Sequence, residues 1–200
     1  MEQDMKQDVK QGISWFCKQW TDRKFRIFLI VALTAGIGLT AECFVFSYSI
    51  WKTGRYMILA AALFFIAWID HQSKRIPNRI LKILLAVRTI LLAAEWLTYP
   101  KLGLAVLLSA LLGAAIGGGM FLIAHFISKG GVGMGDVKLF MVIGLYMGSG
   151  SIMTAVFLSV MASALYSIVM LLLKKIKLKE EIPFAPFIFI GTVLTMALGM

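Results

Sequence analysis

Long apolar stretches separated by short basic segments are the feature that most limits how this chain can fold. Of its 200 residues, 60% are hydrophobic and 15% are charged, and the mean hydropathy of +0.88 is far above that of a soluble domain. A backbone surrounded by lipid must satisfy its own hydrogen bonds, so such stretches predict membrane helices. The sequence therefore predicts an all-α, polytopic transmembrane helical bundle of about six to seven segments. The stretches are about Arg26–Ile50, Tyr56–Ile69, Ile80–Trp96, Leu102–Ile127, Val137–Met147, Ile152–Leu173 and Phe184–Met200.

The residues before the first stretch form a separate lead. Ile13, Phe16, Trp20 and Lys24 recur at helical spacing, which is typical of an amphipathic helix in the membrane interface. We expect residues 1–25 to be this cytoplasmic or interfacial lead and residues 26–200 to be one transmembrane domain.

Basic residues concentrate on one side of the expected bundle. Most of the 20 Lys and Arg residues precede the first stretch, follow the second or sixth stretch, or flank the glycine-rich loop before Asp136. The positive-inside rule then places the N-terminus, Asp70 and Asp136 at the cytoplasmic face of the cell membrane. This topology and contacts with anionic membrane lipids account for the net charge of +10, so no nucleic-acid partner is expected.

Two aspartates stand at matching ends of apolar stretches. Asp70 ends the second stretch and Asp136 begins the fifth, and both stretches are short for a hydrocarbon core of about 30 Å. A carboxylate deep in lipid costs about 2.5–3.5 kcal/mol even on insertion scales. The pattern favours a paired carboxylate site in a water-filled recess. Taken singly, an aspartate at such a position is usually a helix cap or the partner of a nearby lysine.

A pair of carboxyl groups can cleave a peptide bond when one is ionised to activate water and the other is protonated to polarise the carbonyl. Helix dipoles favour the charge on Asp136, at a helix start, and the proton on Asp70, at a helix end. Gly133 and Gly135, on either side of Met134, are expected to permit positive φ and the close approach of an extended peptide.

Three ordered blocks of sequence contain or follow these aspartates. They are Asp70 with Arg75-Ile76-Pro77-Asn78, then Gly133-Met134-Gly135-Asp136-Val137-Lys138-Leu139, then Ile182-Pro183-Phe184-Ala185-Pro186-Phe187 with Gly191. Over about residues 64–191 the chain resembles the type IV prepilin peptidase family of Gly-x-Gly-Asp aspartic proteases. The resemblance implies an endopeptidase that cleaves the basic leader of prepilin or pseudopilin substrates at the cytoplasmic membrane face, typically after a glycine. It also implies Asp70 and Asp136 as the catalytic pair.

The chain departs from the full-length bacterial pattern in one respect. Those members carry an N-terminal region, often with Cys-x-x-Cys motifs, and also methylate the new N-terminus. This sequence has no such motif, and Gly130 and Gly131 stand where a Glu is common. It resembles the shorter, peptidase-only members, so no N-methyltransferase activity is expected.

The other matched residues are expected to shape the substrate-binding region. Pro77 suits the first turn of a helix, and Asn78 is expected either to tie the Asp70 turn by side-chain hydrogen bonds or simply to start that helix. Lys138 is expected to bind lipid phosphate or to lower a carboxyl pKa. The C-terminal block is expected to break a helix entrance and shape the substrate groove. Its residues are Pro183, Phe184 and Pro186.

Arg88 lies in the middle of an apolar stretch, where a charge needs a partner. Glu95 is on the same stretch, about 10.5 Å away along a helix, and Glu42 is in the first stretch; a pair between Arg88 and Glu42 is the preferred interpretation. His71 and His125 lack the neighbours of a metal site, so no metal or other cofactor is expected.

Three other functions remain open at this point. A small ion- or proton-coupled transporter could use the same two aspartates, since short broken helices are typical of such proteins. A presenilin-like protease usually carries Tyr before the first aspartate, whereas Ile69 precedes Asp70 here. A catalytically inactive assembly scaffold is the third alternative.

Overall fold

Helices account for almost all of the chain that the structure describes. The structure is a computed structural model, and it describes residues 49–128, 131–174 and 182–199, all within the compact unit Gly38–Met200. We number the helices in these ranges α1 (Ile50–Ser73), α2 (Asn78–Thr98), α3 (Pro100–Ile127), α4 (Met134–Met147), α5 (Ser149–Leu172) and α6 (Ala185–Ala197). These ranges contain no strand, so the predicted all-α fold is confirmed.

Each helix from α1 to α6 falls on one of the predicted apolar stretches. The first stretch lies outside the described residues apart from its last two, and so does the lead, so the division at residue 25 stays a prediction. The prediction that the second stretch is short is wrong, because α1 has 24 residues and begins at Ile50. The charges of Lys52 and Arg55 lower the local hydropathy, so the pattern placed the start of this stretch at Tyr56. Both lie inside the helix, near the ring of Tyr56.

Three of the helices are long and apolar enough to cross a membrane: α1, α3 and α5. The exterior of the bundle is apolar too. In α5, an 18-residue segment has a mean hydropathy of 2.3, and only 17% of that segment is buried. An exposed apolar surface of this kind indicates contact with lipid. The prediction of a short fifth stretch agrees with α4, which has 14 residues and would measure about 21 Å.

The turn between α4 and α5 explains why α4 stops early. Gly148 has a positive φ of 82°, a conformation that favours glycine, and it is both the C-cap of α4 and the N-cap of α5. Helix α4 therefore ends at Met147, and the Gly-Ser-Gly-Ser stretch does not prolong it.

Glycines bring α3 and α4 into close contact. A Cβ at Gly113 would overlap the carbonyl oxygen of Gly144, and a Cβ at Gly117 would lie 2.7 Å from the carbonyl oxygen of Phe140. Gly191 of α6 packs against Ser159 of α5 in the same way. The short helix α4 is thus held firmly against α3, and this contact fixes the position of Asp136 in the first turn of α4.

Candidate active site

Asp70 lies in the last turn of α1 and is buried. Its exposed fraction is 5%, although His71 and Gln72 beside it are exposed. The helix ends at Ser73 because Lys74 adopts the left-handed conformation, with φ of 52°, and its N–H donates to the carbonyl of Asp70 at 2.8 Å. The carboxyl group is therefore held inside the bundle while the chain leaves it.

The N-terminus of α6 faces the carboxyl group of Asp70. The N–H of Ala185 donates to Oδ2 of Asp70 at 3.0 Å, and the backbone of Phe184 lies close enough to act on this side chain. The first N–H groups of a helix have no partner within the helix, so they are free to bind a carboxylate. Pro183 precedes this turn and Pro186 lies inside it, as the predicted helix entrance requires.

Asp136 lies in the first turn of α4, close enough to Asp70 for the two carboxyl charges to interact. Its side chain also lies beside the backbone of Gly133, the N-cap residue of α4. The structure thus brings together the two aspartates that the sequence singled out, from positions 66 residues apart in the chain.

Both carboxyl groups face a helix N-terminus. The sequence placed Asp70 only at the end of α1, and so assigned it the proton. The N–H groups at the start of α6 supply the positive end of another helix, so the dipole argument no longer separates the two residues.

The glycines before Asp136 are needed for close packing and not for positive φ. Gly133 has φ of −67° and Gly135 lies within α4, so the expectation of positive φ at these two positions is wrong. A Cβ at Gly133 would come within 3.0 Å of Oδ2 of Asp136, and a Cβ at Gly135 within 3.1 Å of Cβ of Ile76. Met134 between them is 47% exposed.

Three aromatic rings pack together at the N-terminus of α6. The rings of Phe121 and Phe140 are stacked with centroids 4.0 Å apart, and the ring of Phe184 lies 5.8 Å from the first and 6.2 Å from the second. Such contacts add to the apolar burial of each ring. They link α3 and α4 to the turn that donates hydrogen bonds to Asp70.

Pro77 and Asn78 lie at the start of α2, beside the candidate site. Pro77 is the N-cap residue and Asn78 is the first helical residue, which agrees with a helix start. The side chain of Asn78 accepts a hydrogen bond from Nζ of Lys138 at 3.3 Å. In the described residues this bond joins α2 to α4, and the expected tie to the Asp70 turn is not seen.

Two hydrogen bonds join the end of α3 to the loop that follows it. Nδ1 of His125 lies 2.6 Å from the carbonyl oxygen of Val132, and the N–H of Val132 donates to Oγ of Ser128 at 3.2 Å. His125 therefore has a local structural partner. In the ranges that the structure describes, no group of His, Cys, Asp and Glu side chains could hold a metal ion.

Sequence reasoning missed the aromatic support of the site. Phe121 and Phe140 lie in ordinary apolar stretches, where nothing distinguishes them from core residues. Ile76 belongs to the first sequence block, but its contact with Gly135 could not be inferred from spacing. The Pro-x-x-Pro pattern of the C-terminal block was the available signal for the N–H donors of α6.

Arg88 pairs within its own helix. Nη1 of Arg88 lies 3.2 Å from Oε2 of Glu95, and its Nε donates to the carbonyl of Leu145 at 2.8 Å. Arg55 reaches the other carboxylate oxygen of Glu95 at 3.4 Å. Glu42, the partner preferred from the sequence, lies outside the described residues. The separation along the helix had counted against Glu95, but extended side chains bridge the two turns.

The fold and the site together define a helical membrane protein with two interacting carboxyl groups at one end of an apolar bundle. Residues 57–168 match the sequence profile of the type IV leader peptidase family. The chain belongs to that family, and the membership expected from the three sequence blocks is confirmed.

A curated relative agrees with this assignment. The chain is 36% identical over 143 residues to a protein from Bacillus subtilis (strain 168) named prepilin leader peptidase/N-methyltransferase. The match covers 72% of this chain and 55% of the relative, so the chain spans about half the length of that protein. No solved structure matches the chain significantly. None of these comparisons supports the alternative of a transporter.

Proposed function

We propose that this protein is an aspartic endopeptidase that removes the basic leader from prepilin or pseudopilin substrates, with Asp70 and Asp136 as its catalytic pair. The observation that carries the proposal is the interaction of these two carboxyl groups at one end of an apolar bundle. The family and the name of the curated relative support the substrate class.

The backbone contacts suggest which of the two carboxyl groups is ionised and which is protonated. Asp70 accepts a hydrogen bond from the N–H of Ala185 at the start of α6 and lies beside the backbone of Phe184, and Asp136 lies beside the backbone of Gly133. Bonds from N–H groups stabilise an ionised carboxylate. We therefore assign the negative charge to Asp70 and the shared proton to Asp136, the reverse of the assignment from α1 and α4 alone. Because the two groups are coupled, the proton belongs to the pair as a whole.

The reaction then follows from this arrangement. Asp70 takes a proton from a water molecule as the water oxygen adds to the scissile carbonyl carbon. Asp136 donates its proton to the carbonyl oxygen, so that no full negative charge develops there. The tetrahedral intermediate then collapses. Its C–N bond breaks, the departing amine takes a proton from Asp70, and the hydroxyl proton returns to Asp136.

The substrate is proposed to lie along the start of α4. Gly133 allows the chain to pass close to the carboxyl group of Asp136, and the exposed side chain of Met134 offers an apolar contact. The polar link between Asn78 and Lys138 borders this region. The turn before α6, with Pro183 and its two following residues, would form the opposite wall.

The site is proposed to face the cytoplasm, with the N-terminus on the same side. The basic residues around the loops that follow α1, α3 and α5 support this orientation. They also favour contact with anionic lipid headgroups at that face.

The expectation that the chain lacks N-methyltransferase activity stays part of the proposal. It depends on the absence of a Cys-x-x-Cys motif and on glycines at positions 130 and 131. Mass spectrometry of a pilin processed by this protein alone tests it. A free N-terminal amine is expected, and a product heavier by one methyl group, about 14 Da, would contradict the expectation.

The central test compares wild type with Asp70→Asn and Asp136→Asn, each purified in detergent and incubated with a prepilin whose product mass is then measured. Each substitution should lower cleavage by about 100- to 10,000-fold, because each removes an acid–base group. Circular dichroism and elution volume control for folding. Near-normal cleavage by either variant would rule out the paired mechanism.

A further inference from the structure

A cavity of about 260 Å³ lies at the other end of the bundle from the two aspartates. Arg55, which lines it, precedes Asp70 on α1 by 15 residues, or about 22 Å of helix. Polar and apolar side chains share its wall. The lining residues are Arg55, Arg88, Leu102, Ala105, Val106, Ser109, Ala110, Met147 and Gly148.

Among the residues that the structure describes, the charges at this cavity do not balance. Arg55 and Arg88 both bind the carboxylate of Glu95, at 3.4 and 3.2 Å, so within the described ranges two cations share one anion. Arg88 is 1% exposed and Glu95 is 6% exposed. An excess positive charge in such surroundings is costly unless an anion compensates it.

Arg55 also has an unused donor. Its Nε is buried and has no hydrogen-bond partner among the residues that the structure describes. A guanidinium group can donate two parallel hydrogen bonds to one oxyanion, so the free Nε–H is a second reason to expect a ligand here.

Two helix ends meet at the wall of the cavity. Gly148, which lines it, is the N-cap residue of α5 and also the C-cap residue of α4, so the positive end of one helix and the negative end of the other lie together. The N–H of Ser149 is already bound to Oγ of Ser109 at 3.3 Å. The positive potential of the cavity therefore comes from the arginines and not from a helix end.

The position of the cavity identifies the class of ligand. Arg55 is the sixth residue of α1 and Leu102 the third of α3, so the cavity lies near the ends of two candidate membrane spans. Phosphate groups are the oxyanions concentrated at that depth, and arginine suits their geometry. The apolar part of the wall, with Val106, Ala110 and Met147, suits the first carbons of a lipid.

We propose that this cavity binds a phosphate group, through the free guanidinium donor of Arg55 and the excess charge that it shares with Arg88. The source is either the headgroup of an anionic membrane phospholipid or free phosphate. The proposal does not rest on the peptidase function, since the cavity is remote from the two aspartates.

Thermal unfolding of the full chain, purified without lipid in a neutral detergent, tests this proposal. The probes are phosphatidylglycerol added as mixed micelles and inorganic phosphate added alone. A ligand that binds only the folded state at 100 times its dissociation constant should raise Tm by about 5 °C or more.

Two variants and a matched control make the result specific. Arg55→Gln removes the free donor, and Val106→Phe fills the cavity without changing any charge; both should lose the rise in Tm. Lys101→Gln removes an exposed positive charge that does not line the cavity, and it should keep the full rise.

The pattern of results identifies the source of the phosphate group and can also overturn the proposal. A rise with phosphatidylglycerol alone supports a lipid headgroup, and an equal rise with inorganic phosphate supports free phosphate. No rise with either probe would overturn the proposal. So would a rise that survives both Arg55→Gln and Val106→Phe, because the ligand would then bind elsewhere.

Discussion

The N–H of Ala185 donates a hydrogen bond of 3.0 Å to Oδ2 of Asp70, which joins positions 115 residues apart in the chain. The bond links the end of α1 to the start of α6. It gives the C-terminal Pro-Phe block a physical role, since this block presents main-chain donors to a candidate catalytic carboxyl group.

The ring of Phe184 is expected to hold those donors in place. Phe184→Leu removes its contacts with Phe121 and Phe140, so α6 should shift and cleavage should fall about five- to tenfold, at about 0.5–1.5 kcal/mol for each aromatic pair. Phe187→Leu is the matched control. Its ring contacts Tyr166, 5.1 Å away, and should change cleavage little. Equal losses in both variants would contradict a positioning role for Phe184.

Close packing at Gly135 predicts a second effect on cleavage. Gly135→Val places a branched side chain against Ile76. This should shift the start of α4, which carries Asp136, and lower cleavage at least about tenfold. Gly119→Val is the control, since a Cβ at Gly119 meets no atom within 4 Å. Cleavage and Tm should be measured on the same preparations. Full activity in Gly135→Val would show that this contact does not matter.

The sequence predicted the helices and the two aspartates because hydropathy and local motifs carry that information. Asp70 and Asp136 were identifiable as polar residues at the ends of apolar stretches. Their supports were not identifiable, because the contacts of Asp70 with Ala185 and of Gly135 with Ile76 join distant segments. Without a tertiary arrangement, the dipole of α6 could not enter the argument about protonation.

The length of α1 shows a second limit of sequence reasoning. A hydropathy pattern treats Lys52 and Arg55 as the end of an apolar stretch, although both are helical. The cost of Arg55 is offset by Glu95, which is 40 residues further along the chain. Hydropathy alone therefore misplaces the start of this helix.

The positive φ of Gly148 predicts a difference between two neighbouring glycines. Gly148→Ala forces a Cβ into the left-handed region and close to Oγ of Ser109, so it should destabilise the protein by about 1–3 kcal/mol. Gly150→Ala should leave stability unchanged or raise it by up to about 1 kcal/mol, since it lies in α5 with open space around its Cβ. Thermal unfolding in detergent measures both. Equal Tm values would contradict the strained turn.

Labelling of introduced cysteines tests the proposed orientation of the bundle. Cys17 and Cys43 are first replaced by serine. Ser73→Cys then marks the end of α1 near Asp70, and Tyr99→Cys marks the far end of α2, at the other end of the bundle. A maleimide that cannot cross the membrane should label Tyr99→Cys in intact cells, and Ser73→Cys only after permeabilisation. The reverse pattern would place Asp70 at the outer face.

The ion pairs at Glu95 predict an asymmetry between its removal and that of one arginine. Glu95→Gln removes the carboxylate that Arg55 and Arg88 share among the described residues, which should cost about 3–5 kcal/mol. Arg55→Gln leaves the pair between Arg88 and Glu95 intact, so its cost should be about 1 kcal/mol or less, as for a partly exposed pair. Chemical unfolding of both variants in the same detergent gives the comparison. If Arg55→Gln proves as damaging as Glu95→Gln, then Arg55 is itself essential to the packing of this region and the excess positive charge is not its main feature.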